Sequence, residues 1–288
     1  ANALPPQPSE AQVGATGDPH QAYLKGVNDG RALSSVGINV DFGPVVDVLT
    51  NPTNPILQGR TYGTTPDYVT KMASAFLDGI ATTGVAACLK HYPGLGSSSS
   101  DPHHVLPYIN RTLAQMEAVD LVPYKTLIGE GKVSMIMDTH MLIPALDPNL
   151  PTSISPNVLT NLLRNQLGYQ GVLISDALFM GGLSNTYDIP HAGLLAFEAG
   201  TDMLLGSYSE SQTRQMMNLI ENAIQSGAIS QQHLDASVLR DLKFKLQYNI
   251  IPADFKVPGS GTAHTTTPGT SATFALDGTQ DADARLRG

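Results

Sequence analysis

The residues of this chain best suited to chemistry lie in one short stretch. Lys90-His91-Tyr92-Pro93-Gly94-Leu95-Gly96 is followed by Ser97 to Ser100 and then by Asp101-Pro102-His103-His104. A carboxylate held against an imidazole fixes the ring's orientation and favours its protonated form, as a general acid/base requires. Asp101, two residues before His103, is placed to do this. The other reading of the pair is a solvated loop in which Asp101 makes a local turn with Pro102. Metal binding by Asp101, His103 and His104 is a weak option, because adjacent histidines diverge in extended chain and no further ligand stands at a zinc-type spacing. Lys90 can donate to several hydroxyls at once, which suits a sugar ring, or can snorkel from a packed stem. Arg60, in Gly59-Arg60-Thr61-Tyr62-Gly63, has the choice of ligand contact or surface ion pair. Asp176 follows Ile174-Ser175 and can attack an anomeric carbon, stabilise positive charge on it, or cap the next helix. His140, in Asp138-Thr139-His140, is either a satisfied buried histidine or a contact to ligand.

Strands and helices must carry these groups. Apolar runs suggest strands at Ile38 to Val48, Val85 to His91, Val133 to Met137, Gly171 to Ile174 and Met203 to Leu205. Their near-continuous hydrophobicity is that of strands covered on both faces, as in parallel sheets. Asp47, Lys90 with His91, Asp138 with His140, and Asp176 then fall at the carboxyl ends of successive strands, the rim where a βα barrel builds its site. A closed barrel has eight strands, and only about five are visible here. Helical spacing runs from Asp67 through Val69, Met72, Ala73, Phe76, Leu77 and Ile80 to a stop at Gly84. Thr112-Leu113-Ala114-Gln115 has capping-box form, Ser155-Pro156 opens a helix that Gly168 closes, and Leu234, Val238, Leu239, Leu242 and Leu246 line a late amphipathic helix.

Composition narrows the classes. The 288 residues are 41% hydrophobic and 14% charged with a formal net charge of -9, which disfavours nucleic acid or an anionic membrane as partner. No apolar run is long enough to span a bilayer. The single cysteine, Cys88, lies in an apolar strand and reads as a buried structural thiol. Ala1 to Gln12 carries no signal-peptide pattern. Few charges and many small polar residues tilt the location toward the cell envelope or exterior. The reading divides the chain into a barrel domain over 1–252 and a Gly/Ser/Thr/Pro-rich linker or disordered tail over 253–288.

Taken together, the motifs resemble glycoside hydrolase family 3, in its β-N-acetylglucosaminidase branch, from about Leu4 to Leu246. Phe42-Gly43-Pro44-Val45-Val46-Asp47-Val48 is similar to the family's strand motif, Arg60-Thr61-Tyr62-Gly63 to its Arg-x-aromatic-Gly segment, and Lys90-His91-Tyr92-Pro93-Gly94 to its Lys-His-Phe-Pro-Gly signature. Asp101-Pro102-His103 falls where this branch carries Asp-Ser-His, and Gly171 to Asp176 resembles the nucleophile strand. The resemblance implies a TIM-type (β/α) barrel, incomplete at its N-terminus, since a Val-Asp-Gln-Glu-Gly-Gly-type segment on an earlier strand has no counterpart here. It implies a retaining hydrolase of terminal β-linked N-acetylhexosamine, acting on peptidoglycan fragments or chitin oligomers. Asp176 would be the nucleophile, His103 the acid/base and Asp101 its orienting partner. Arg60, Lys90 and His91 would hold the sugar, with His140 grouped among the binding residues. A carbohydrate substrate and no cofactor are implied. Alternatives are a β-glucosidase, a phosphorylase of the same family, or a non-catalytic sugar-binding or inactive fragment. Departures from the family pattern are Leu95 for His, Ser97 for Asp, Pro102 for Ser and Ala177 for a second Asp. An incomplete barrel would expose strand edges and favour self-association.

Overall fold

The computed structural model describes residues 6–207 and 209–255. The chain divides after Ala253, and of the unit that follows only Asp254 and Phe255 are among the described residues. The tail expected over 253–288 therefore lies almost wholly outside them.

Helix α1 (Glu10–Gly14) starts at a capping box in which Ser9 and Gln12 exchange hydrogen bonds. Helix α2 (Pro19–Ser35) leads to the two-residue strand β1 (Val40–Asp41). The long first strand expected over 38–48 is regular only at β1, because the Gly43-Pro44 step cannot continue the ladder. The chain nevertheless stays beside strand β2 (Ala86–Tyr92), through Cys88 N–H to the Gly43 carbonyl at 2.8 Å and Val46 N–H to the Lys90 carbonyl at 2.8 Å. Helix α3 (Pro66–Ala81) joins the two with the expected apolar face, Val69, Met72, Ala73, Phe76, Leu77 and Ile80, all buried. Short α4 (Leu113–Gln115) carries the expected Thr112–Gln115 capping box and runs through a π-helical turn, Met116–Asp120, into α5 (Val122–Gly129). Strand β3 (Met135–Asp138) follows, then a π-helical segment Asn157–Gln166, strand β4 (Val172–Ile174), α6 (Gly181–Ser184), α7 (Ile189–Ala199), α8 (Glu210–Gln225) and α9 (Gln231–Gln247).

The strands are parallel in the order β1-β2-β3-β4, and Met203 adds an isolated parallel bridge to Ile174. Among the described residues the sheet does not close on itself. Strand alternation sorts its side chains onto two buried faces. Ala87, Leu89, Ile136 and Leu173 pack with the apolar faces of α3, α5 and Asn157–Gln166. Ala86, Cys88, Met135, Met137, Val172 and Ile174 pack instead with Phe244, Tyr248 and Ile250 from the end of α9 and beyond. The apolar stripe expected along α9 is covered only in part. Leu234 and Leu242 are half-buried while Val238, Leu239 and Leu246 are exposed, and the helix is also seated by Phe244, by the Arg240–Asp202 ion pair and by a Tyr248–Ser134 hydroxyl bond of 2.7 Å. Among the described residues no helix is long and apolar enough to cross a membrane.

Candidate active site

The carboxyl end of β2 is built around Asp47, which is buried. Its Oδ2 faces His91 Nδ1 at 2.7 Å and accepts the His91 backbone N–H at 3.3 Å, and its Oδ1 accepts the Leu95 N–H at 2.6 Å. One carboxylate thus fixes both the imidazole and the loop beyond it, and the charged acceptor makes each of these bonds stronger than a neutral one. Lys90 is half-buried between buried neighbours, and among the described residues no hydrogen bond or ion pair is made by its side-chain ammonium. Arg60 donates to the Ile56 carbonyl at 3.3 Å.

The Asp101–His103 pair forms as its spacing suggests. Asp101 Oδ1 faces His103 Nδ1 at 2.6 Å and accepts the His103 N–H at 2.8 Å. Burial raises the proton affinity of Asp101, but the two hydrogen bonds from His103 and the nearby His103 and His104 outweigh it and hold the carboxyl below its usual range. The dyad's loop is clamped from elsewhere in the chain. Gly181 N–H donates to the His103 carbonyl and Gly182 N–H to the Pro102 carbonyl, both at 2.9 Å, and Asn185 Nδ2 donates to the His104 carbonyl at 2.9 Å. The approach is so close that a Cβ on Gly181 would stand 2.5 Å from the His104 oxygen, and one on Gly182 2.8 Å from that of Pro102. Helix α6 begins a few residues after Asp176, so the loop bearing His103 is tied to the segment bearing that carboxylate.

Asp176 is half-buried; its Oδ1 accepts the Ala177 N–H at 2.8 Å, and its own N–H donates to Asp138 Oδ1 at 3.0 Å. His140 lies beneath. Its Nε2 faces the Ala177 carbonyl at 3.1 Å, its Nδ1 faces Ser153 Oγ at 2.7 Å, and the residue is fully buried. A carbonyl can only accept, so Nε2 carries the proton and Nδ1 accepts from the serine. Burial lowers the proton affinity of the ring. The resemblance groups His140 with the sugar-binding residues; here both of its nitrogens are engaged within the protein, and the ring supports the main chain beside Asp176.

Five of the candidates, Arg60, Lys90, His91, His103 and Asp176, meet in one cavity of about 190 Å³, lined also by Phe42, Ile56, Leu95, Pro102, Met137, Met180 and Leu205, while Asp101 stands behind His103. Its volume is below the roughly 300–1,000 Å³ usual for drug-sized ligands, so it suits one small polar ring. Two cations, two imidazoles and one carboxylate face an otherwise apolar wall. A larger hollow of about 250 Å³ beside Lys132, Arg240 and Lys243 lies at the amino ends of β3 and β4 and gathers no such constellation. Sequence reasoning missed Met137 and Leu205 as lining residues, although Met137 lies near the end of β3 and Leu205 two residues past the Met203 bridge to Ile174. It placed Asp47 on the rim without a partner, and the structure gives that carboxylate the task of fixing His91.

The family model for the glycosyl hydrolase family 3 N terminal domain matches residues 3–243. The chain belongs to glycosyl hydrolase family 3. This family 3 chain is 34% identical over 233 residues to beta-hexosaminidase A of Pseudoalteromonas piscicida, covering 75% of the present chain and 39% of that relative. It is 34% identical over 240 residues to an uncharacterized secreted glycosyl hydrolase of Arthroderma benhamiae, covering 82% of the chain and 68% of the relative. Among solved structures, the family 3 β-N-acetylglucosaminidase of Paenibacillus sp. FPU-7 superposes with a TM-score of 0.82 at 33% identity, over 95% of this chain and 51% of that one. The present chain thus spans about half the length of that structure. The expected TIM-type α/β fold is that of this family, here with an open parallel sheet.

Proposed function

We propose that this family 3 chain carries the catalytic half-site of a retaining β-N-acetylhexosaminidase that removes terminal β-linked N-acetylglucosamine. The observation that carries the reading is the shared cavity: Asp176 and the Asp101-oriented His103 open into one space with Arg60, Lys90 and His91. In the first step Asp176 Oδ2 attacks the anomeric carbon. The bond to the leaving oxygen breaks, and the protonated His103 delivers its Nε2 proton to that oxygen. In the second step His103, now neutral, takes a proton from water, the resulting hydroxide attacks the same carbon, and the ester to Asp176 breaks to regenerate the carboxylate. Asp101 holds the Nδ1 side of the ring throughout, so Nε2 is the nitrogen that exchanges protons. Lys90 and Arg60 supply donors without acceptors, which match the hydroxyls of a terminal sugar.

The names of the beta-hexosaminidase and β-N-acetylglucosaminidase relatives support this substrate class. Chitin oligomers or peptidoglycan fragments would supply it. The relative named as secreted supports a location outside the cytoplasm or in the envelope, which fractionation of the native host would test. The deciding experiment is turnover of a chromogenic β-N-acetylglucosaminide by the whole chain, beside the β-glucoside and with or without phosphate. Release from the N-acetylglucosaminide alone, unaffected by phosphate and abolished in Asp176→Ala, supports the proposal. Preference for the glucoside, or turnover that requires phosphate, would replace it with the corresponding alternative. No turnover by folded protein would leave a sugar-binding role.

A further inference from the structure

Beside Asp176 stands a second carboxyl group that the mechanism above does not use. Asp138 ends β3, in register with Tyr92 of β2, and is completely buried. Its Oδ1 accepts the backbone N–H of Asp176 at 3.0 Å. Its Oδ2 is sealed from solvent and has no hydrogen-bond partner. The hydroxyl of Thr201, also sealed and without a partner of ordinary geometry, is near enough to bear on the Asp138 carboxyl. Cys88 of β2 is a near neighbour, and Asp176 is the charged residue that acts on Asp138. No lysine, arginine or histidine among the described residues pairs with it.

We propose that Asp138 is a positioning residue for the Asp176 nucleophile and works as the neutral acid, its carbonyl oxygen holding the Asp176 main chain and its hydroxyl directed to Thr201. This rests on the reading of Asp176 as nucleophile. A fully buried carboxylate with no cation beside it and one oxygen unmatched is heavily disfavoured, whereas the neutral acid can donate to the Thr201 hydroxyl, a group able to donate or accept. Two adjacent carboxyls also resist ionising together. Burial, the largest influence, and the charge of Asp176 push the Asp138 proton affinity upward and outweigh the Asp176 N–H and the Thr201 hydroxyl, which act in the opposite direction. A proton kept on Asp138 leaves Asp176 as the ionised member of the pair, which a nucleophile must be.

The test uses the whole chain and two substitutions. In Asp138→Asn the amide oxygen still accepts the Asp176 N–H and the amide nitrogen replaces the acid hydroxyl as donor. In Asp138→Ala both are lost. The infrared difference spectrum, wild type minus Asp138→Asn at neutral pH, should contain the carbonyl stretch of a protonated carboxylic acid. In turnover, Asp138→Asn should lose less than about tenfold in kcat with the acid limb of kcat/KM unmoved, while Asp138→Ala loses about a hundredfold with little change in KM, as expected of a misplaced nucleophile. A difference spectrum with carboxylate bands only, an acid limb displaced by a full pH unit in Asp138→Asn, or equal damage in the two variants overturns the proposal. If Asp138→Ala does not fold, the spectrum and pH profile of Asp138→Asn still decide. The infrared arm is independent of turnover. Inactive wild-type protein would count against the proposed function, and a missing acid band against this proposal.

Discussion

The clamp on the His103 loop can be tested by a single methyl group. In Gly181→Ala the new Cβ would meet the His104 carbonyl oxygen at 2.5 Å and the His103 carbonyl oxygen at 3.0 Å. Carbon–oxygen contacts settle at about 3.3–3.6 Å, so the loop must recede by about 1 Å. The Gly181 N–H bond to the His103 carbonyl weakens with it. Alanine is the better helix former by about 1 kcal/mol, which offsets part of an overpacking cost of about 1–3 kcal/mol, so the variant should fold. A displacement of this size at a group that transfers a proton should lower kcat/KM, which reports the glycosylation step, by about a hundredfold on a substrate with a sugar leaving group. The loss in kcat/KM should shrink to a few-fold on an activated nitrophenyl glycoside, which departs without help from an acid. The assay is kcat/KM on both substrates for wild type and variant, with thermal unfolding to confirm the fold. Wild-type turnover of the disaccharide by Gly181→Ala would refute the reasoning. Equal losses on both substrates would show that the defect does not lie in protonation.

Three further outcomes follow from the geometry. Asp176→Asn should reduce turnover at least about a thousandfold on every substrate, since an amide cannot form the glycosyl ester; measured kcat within tenfold of wild type would exclude the nucleophile role. Asp47→Asn leaves one oxygen for the three donors now facing a carboxylate. It should destabilise the protein by about 1–3 kcal/mol in urea unfolding and raise KM through a loosened His91. Asp120, buried against Arg111 beneath the same loop, has its carboxyl pushed up to about 7 by burial. Its folded form keeps a proton that the unfolded chain loses near pH 4, so this residue's contribution to stability falls as pH rises from about 4 to 7 and is level above, by at most about 1.4 kcal/mol per pH unit. The difference in unfolding free energy between wild type and Asp120→Asn should carry that slope, and a difference independent of pH would contradict it.

What the sequence determined is local. The Asp101–His103 pair closes within a two-residue turn, the capping boxes at Ser9 and Thr112 span three residues, and the buried face of α3 follows from helical period alone. Apolar runs were enough to set Lys90, His91 and Asp176 at strand ends, because a parallel strand buried on both faces leaves its carboxyl end as the place for polar groups. Tertiary structure alone decided the contacts that require the chain to return. Asp47 reaches His91, Gly181 reaches His103, and Asp138 reaches the Asp176 main chain, each across dozens of residues whose spacing no period encodes. The same holds for His140, whose partners Ser153 and Ala177 arrive from two other segments and take both of its nitrogens. It holds too for α9, where the Arg240–Asp202 ion pair and Phe244 help seat the helix and leave Val238, Leu239 and Leu246 of the apolar stripe in solvent. Periodicity reports that a face is apolar, but which face is covered depends on the neighbours that folding brings to it.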